Sequence, residues 1–265
     1  MDFFPQLSTG NSIQYPIKKT QVFRTATVTS EDGRCSKIAD TGSRAIEWEI
    51  QFAGLTPSEW AGVANHFATA EGRLNSFPFL DGSDNLLKWS EKLSDPAWTV
   101  DPLLQVTEGA ADPHGGTSGL SVHNTGTAWQ GFTQTLAAPA AFTYTFSLMA
   151  RSDSATHMRV AISGNSQQVQ REFVLDQSWR QYVVTGSLPG TELTVDFGVL
   201  IDPGSQAGLY GLQAEPQMGA SRYKRTTAMN GLHPNTRYGQ DELKLTSDRP
   251  DSYATTIRLI SREGF

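Results

Sequence analysis

Residues 46–52 alternate without a break, with Ile46, Trp48, Ile50 and Phe52 on one side and Glu47, Glu49 and Gln51 on the other. Period two over seven residues predicts an extended strand with one face in a core and one in water. Such a strand needs partners and a cover. The segment that follows supplies a cover. Thr56 is a good N-cap, Pro57 occupies the first helical position and Glu59 completes a capping box. Trp60, Val63, Ala64 and Phe67 then fall at i, i+3, i+4 and i+7, one apolar stripe, and Gly72 offers a left-handed stop. His66, beside Phe67, is expected to be partly exposed. Val22–Val28 predicts a strand leading to a turn at Glu31-Asp32-Gly33, and Asn75–Asp81 predicts a short extended segment that Pro78 confines to a sheet edge.

From Asn85 to about Thr227 the pattern becomes a series of short strands. Phe142, Tyr144, Phe146 and Leu148 alternate with polar residues, Met158, Val160 and Ile162 form another alternating set, and Gln181–Thr185 and Leu193–Val199 add two more. Turn signals separate them at Ala137-Ala138-Pro139, Gly164-Asn165, Leu188-Pro189-Gly190 and Asp202-Pro203-Gly204. This spacing predicts a β-sandwich or jelly roll. Asn230–Gln240 is expected to be a polar loop. Leu243–Thr246 and Ser252–Ile260 flank the turn-rich Ser247–Asp251 and predict a terminal hairpin. A lone hairpin is marginal in water, so its partner is sought in the N-terminal segment. The fold class is therefore mainly β. A β domain of residues 1–84 and 228–265, with one packed helix, is split by an inserted sandwich of residues 85–227.

Composition excludes several function classes. The 265 residues carry 27 acidic against 21 basic side chains, a formal net charge of -6. Residues 85–227 hold 9 basic and 12 acidic groups and the remainder 12 and 15. Neither part has the basic excess that phosphate binding requires, although Arg222, Lys224 and Arg225 cluster locally. Cys35 is the single cysteine, so no intramolecular disulfide forms. No apolar run approaches the roughly 20 residues of a membrane span, and the first ten residues lack a secretory pattern. Folding in the cytoplasm is expected.

Catalytic and metal motifs are weak. Glu108, Asp112, Glu172, Asp196 and Glu215 are dispersed carboxylates with no motif joining them, where a glycosidase needs a pair at defined separation. The histidines form no i, i+4 metal pair, and no G-x-S-x-G elbow is present. Not an enzyme is the expectation. Sugar-binding sandwiches use exposed flat rings, which match the apolar C–H face of a pyranose. Trp89, Trp179, Tyr144 and Tyr210 lie on strand-like segments and are expected in the core. Trp129, between Thr127-Ala128 and Gln130-Gly131, is the best single candidate for an exposed glycan platform. Asp84 and Glu215, near the module ends, are the candidates for a structural calcium ion.

Two stretches carry resemblances. Asn85–Glu91 through Pro96-Ala97-Trp98, the strand Phe142–Ser152, Trp179-Arg180-Gln181-Tyr182, Tyr210–Glu215 and Ala220–Thr227 resemble, in order, carbohydrate-binding-like sandwich modules of phage structural proteins. The flanking part, with Trp48–Phe52, a capped helix ending in Glu71-Gly72-Arg73, Phe77–Asp81 and Thr255–Ile260, resembles the distal tail and minor tail proteins of long-tailed phages. That resemblance implies a tail-tube-like domain in a ring, often a hexamer, that joins the tail tube to the tip complex. Its partners would be tube, hub and tape-measure proteins, and its location the virion tail after synthesis in the host cytoplasm. The sandwich would face host glycan. The alternatives are a free carbohydrate-binding adhesin and a polysaccharide hydrolase.

Overall fold

The computed structural model describes residues 2–262, the side chain of Thr41 excepted. The chain is mainly β and divides into two compact units. One comprises residues 2–8, 12–80 and 232–262, the other residues 9–11 and 81–231.

The first unit begins with β1 (Ile17–Thr29) and β2 (Cys35–Leu55), followed by α1 (Pro57–Ala70) and β3 (Phe77–Leu80). The capping box at the start of α1 forms as its residues dictate. Thr56 Oγ1 accepts from the Glu59 amide, while the Glu59 carboxylate accepts from the Thr56 amide. The helix stops one residue before the expected glycine, because Glu71 itself adopts the left-handed conformation with φ 52°, and Gly72 follows at φ 60°. The remaining strands of this unit come from the far end of the chain: β14 (Leu232–Tyr238), β15 (Thr246–Arg249) and β16 (Ser252–Arg262). The sheet runs β1-β2-β16-β14-β3, with β15 paired to β16. The closing strand thus lies against the Trp48 strand, with Leu259 opposite Trp48 and Ile257 opposite Ile50.

Three expectations need correction here. Residues 232–238, expected to be a polar loop, form an interior strand between β16 and β3. A register shift between His233 and Thr236 breaks its alternation, and it buries His233, Thr236 and Tyr238 rather than aliphatic residues, so no period-two apolar signal appears. The first strand of the terminal hairpin lies at Thr246–Arg249 instead of Leu243–Thr246. The core between sheet and helix is aromatic. The Phe4 ring sits 5.7 Å from those of Phe79 and His66, and 6.3 Å from those of Phe52 and Phe77. His66 is buried rather than partly exposed. Its Nδ1 meets the Tyr238 hydroxyl at 2.8 Å and its Nε2 the Asp2 carbonyl at 3.2 Å.

The second unit is a β-sandwich. Its strands are β4 (Thr99–Val100), β5 (Leu104–Ala110), β6 (Gly119–Asn124), β7 (Gln130–Leu136), β8 (Tyr144–Arg151), β9 (Thr156–Ser163), β10 (Gln168–Leu175), β11 (Arg180–Gly186), β12 (Val195–Ile201) and β13 (Gln206–Glu215). They form two five-stranded antiparallel sheets, β10-β9-β12-β7-β4 and β11-β8-β13-β6-β5. The inner faces meet through alternating residues, and Phe197 of one sheet contacts Tyr144 and Phe146 of the other at ring distances of 5.6 and 5.7 Å. This interdigitation of two apolar faces is the packing that defines a sandwich. Asn85 ties the module's beginning to its end. Its buried amide donates to the carbonyls of Leu212 and Lys224, and its Oδ1 accepts from the amides of Leu87 and Ala214.

Candidate functional site

The outer face of the β11-β8-β13-β6-β5 sheet is polar and carries two clefts. Its side chains are set in rows by the strand register. Gln181, Met149 and Tyr210 oppose one another in one row, and Val183, Ser147 and Gln213 in the next. Arg151 opposes Gly208 in the preceding row, with Trp179 just before the start of β11. Gly211, at φ +70°, lies inside the register shift between Tyr210 and Gln213. That backbone region favours glycine, and the bulge re-aims the side chains beside it. A Cβ at Gly211 would stand 3.3 Å from the Tyr223 ring, so the absent side chain also makes room for that ring.

The result is a groove of about 570 Å³ lined by Gln181, Tyr210, Gln213, Arg222, Tyr223 and His114, among others. Tyr210 packs edge-on against Tyr223 at 5.2 Å and against His114 at 5.5 Å. The Tyr223 hydroxyl bridges Ser90 Oγ at 2.8 Å and Glu91 Oε1 at 3.1 Å, which fixes its ring. Burial pushes the phenols of Tyr223 and Tyr210 up, with the Glu91 carboxylate adding to both, so each stays a neutral hydroxyl. A smaller cleft of about 260 Å³ lies beside Trp179, Arg151 and Gly208. The Arg151 guanidinium stands 5.6 Å from the Trp179 ring centroid. Half-exposed rings beside amides, hydroxyls and guanidinium groups suit a polyhydroxylated ligand, which has both apolar faces and a polar rim.

The residues singled out by sequence lie elsewhere. Trp129 is half-buried and precedes β7 in the opposite sheet. The Arg159 guanidinium lies 3.9 Å from its ring centroid and is itself held by Glu172 at 2.9 Å. One face of Trp129 is therefore covered by a cation, which leaves less ring for a sugar than an open platform offers. Tyr144 is in the core as expected, but Trp89, Trp179 and Tyr210 are half-buried, and the last two line the clefts. The calcium candidates are engaged internally. Glu215 is fully buried, and its carboxylate accepts from Ser221 Oγ, the Ser221 amide, Gln217 Nε2 and Lys224 Nζ, the last at 3.1 Å. Those donors occupy the oxygen lone pairs a cation would need. Asp84 Oδ1 accepts from the Asn85 amide. Among the described residues no group of three or more His, Cys, Asp or Glu side chains is arranged to hold a metal.

The other carboxylates also have structural partners. Glu108 accepts from the Ser94 amide, Asp196 from Thr135 Oγ1, and Glu172 from Arg159. Asp112 accepts from the amides of His114, Gly116 and Ser118, and these bonds hold its carboxyl below the usual range. Sequence reasoning missed the groove because its residues come from five separate segments, three of them set side by side by the register of β8, β11 and β13. The available signal was the run of polar residues on the outer side of each alternating strand.

The second unit belongs to the β-sandwich class by strand order and face-to-face packing. No protein-family model matches the sequence, and no curated protein matches it. Among solved structures the chain is similar to the enzymatically active domain of bacteriophage CBA120 tailspike protein 4, at 13% identity and a TM-score of 0.42. That match covers 52% of this chain and 22% of the tailspike chain. It is also similar to a family 22 carbohydrate-binding module of Clostridium thermocellum Xyn10B, at 16% identity and a TM-score of 0.39, over 52% of this chain and 94% of that one. A family 11 carbohydrate-binding module from Clostridium thermocellum, in complex with a mixed-linked tetrasaccharide, gives 14% identity and a TM-score of 0.37, over 52% and 98%. Likenesses this distant carry no function, and the sandwich rests on its own geometry. No described helix is long and apolar enough to cross a membrane.

Proposed function

We propose that the chain is a non-enzymatic structural subunit of a phage-type tail tip. It joins copies of itself in a ring, and neighbouring tube, hub and tape-measure proteins, through the split β domain. Its β-sandwich binds host surface glycan on the two-cleft sheet face, and its place is the virion tail. The observation that carries the assembly reading is the ribbon formed by β1 and the first half of β2. Residues 23–39 are exposed throughout, including Phe23, Val28 and Ile38, which are 66, 57 and 59% exposed. Residues 35–40 pair with β1, residues 41–44 fall in the register shift between Val22 and Arg24, and β16 begins pairing at Ala45. A two-stranded ribbon is marginal alone, and open edges with apolar side chains invite pairing with another chain. Such a ribbon is stable when a partner covers it.

The test is the mass of the full chain in solution, measured by light scattering across a concentration series, beside a variant with residues 23–44 replaced by Asn-Gly. Val22 and Ala45 are register partners, so a two-residue turn closes them. The full chain is expected to form multi-subunit species, and the shortened one to stay a folded single chain. A full chain that remains single at every concentration overturns the assembly reading. If it also binds glycan, the free adhesin, which the groove equally favours, takes its place.

A further inference from the structure

We infer that the two-cleft face of the sandwich selects a linear anionic glycan, a polymer carrying carboxylate, sulfate or phosphate at intervals, over a neutral one. This rests on the glycan-binding reading above and adds the ligand's charge and its extended shape.

Shape follows from the register. The Trp179–Arg151–Gly208 cleft and the Tyr210 groove are adjacent rows of one sheet face, because Arg151 and Met149 are successive outward residues of β8 and oppose Gly208 and Tyr210 of β13. Successive rows stand about 7 Å apart along a strand. Each row offers one half-exposed aromatic ring, Trp179 in the first and Tyr210 in the second. A chain of sugars can lie across both, whereas one terminal sugar would use a single cleft. Gly208 leaves room for the first ring to pack against the sheet: Trp179 Cη2 lies 3.3 Å from where a Cβ would stand.

Charge follows from what lines the rows. The protein's formal net charge is -6, yet the charged side chain lining the larger groove is Arg222, with titratable His114 beside it, and no carboxylate lines it. The carboxylates nearest Tyr210 are committed elsewhere. Asp112 accepts three backbone amides, and Glu91 binds the Tyr223 hydroxyl and Arg225 Nε at 2.9 Å. The next row adds Arg151; one carboxylate, Asp153, also lines that cleft and stands 3.7 Å from the guanidinium, with both side chains open to water. Each row thus pairs one ring with one guanidinium. A guanidinium presents a planar fork matched to carboxylate, sulfate or phosphate oxygens. A neutral glycan would offer neither guanidinium that match.

The test titrates the full chain with polygalacturonate oligosaccharides and with the same oligosaccharides after carboxyl reduction, which keeps the backbone and removes the charge. Sulfated and phosphorylated oligosaccharides extend the series, and poly-glutamate controls for bare polyanion attraction. At least one anionic glycan is expected to bind ten-fold or more tightly than its neutral counterpart and than poly-glutamate, with affinity falling as salt rises. The double variant Arg151→Gln, Arg222→Gln is expected to lose that preference with an unchanged melting temperature. Equal affinity for neutral and charged forms, or a preference that survives the double variant, overturns the charge assignment and leaves glycan binding standing. Binding to poly-glutamate as tight as to any glycan, or binding to no glycan at all, sinks the glycan reading with it.

Discussion

His66 sits beside the helical stripe at a position where sequence gives no reason to expect burial, and its partners come from the two ends of the chain. Tyr238 lies 172 residues away and Asp2 lies 64 away, so no local pattern could have announced them. Burial lowers its pKa below the ordinary histidine value of about 6.5 and outweighs the opposing effects of Asp2. The folded state therefore binds the proton less readily than the unfolded chain. This contribution to stability is complete above about pH 6.5 and is lost as the pH falls from there through the lower folded value. Denaturant unfolding at pH 7.5 and 5.5 should show a smaller difference in the variant His66→Gln than in the parent protein. An identical difference in both would remove His66 from the account. Tyr210 and Trp179 teach the converse. Both were expected in the core; Tyr210 does lie on β13, but Trp179 stands just before β11, and a bulge at Gly211 and the strand end before Arg180 decide which way they face, neither of which is visible in a period-two pattern.

At the level of elements, strong local signals translated directly. Thr56, Pro57 and Glu59 form the cap that their order predicts, and the Trp48 strand buries the four apolar residues that alternate there. Pro78 lies on the edge strand β3, where its missing amide is tolerated. The strand at 232–238 was hidden, because polar and aromatic residues fill an interior position normally held by aliphatic ones. Its pairing has a testable consequence. Leu80 and Leu232 are register partners in the β3–β14 pair, so the chain leaves and re-enters the first unit at neighbouring points. Replacing residues 81–231 by Asn-Gly should leave a domain that unfolds cooperatively, with Trp48 still fluorescing from a buried environment. A broad transition with water-exposed tryptophan emission would show that the split sheet depends on the intervening unit.

For the molecule as a whole, the mainly β class and the sheet joining the chain's two ends were readable, because alternation survives wherever one face is buried. The two-cleft face was not, since its members lie in separate segments and meet only through register. The glycan candidate drawn from local neighbours, Trp129, instead lies under the Arg159 guanidinium. The central claim is that the exposed ribbon is an assembly surface, and amide hydrogen exchange across residues 23–40 tests it most directly. Strand edges exchange within the fast, locally open regime when solvent reaches them and slow when a neighbouring chain pairs with them. Comparing concentrated and highly diluted full chain, these amides should be protected at high concentration and exchange fast on dilution, with the buried strand around Trp48 protected in both. Fast exchange of the ribbon at every concentration, with all other regions unchanged, would contradict the account.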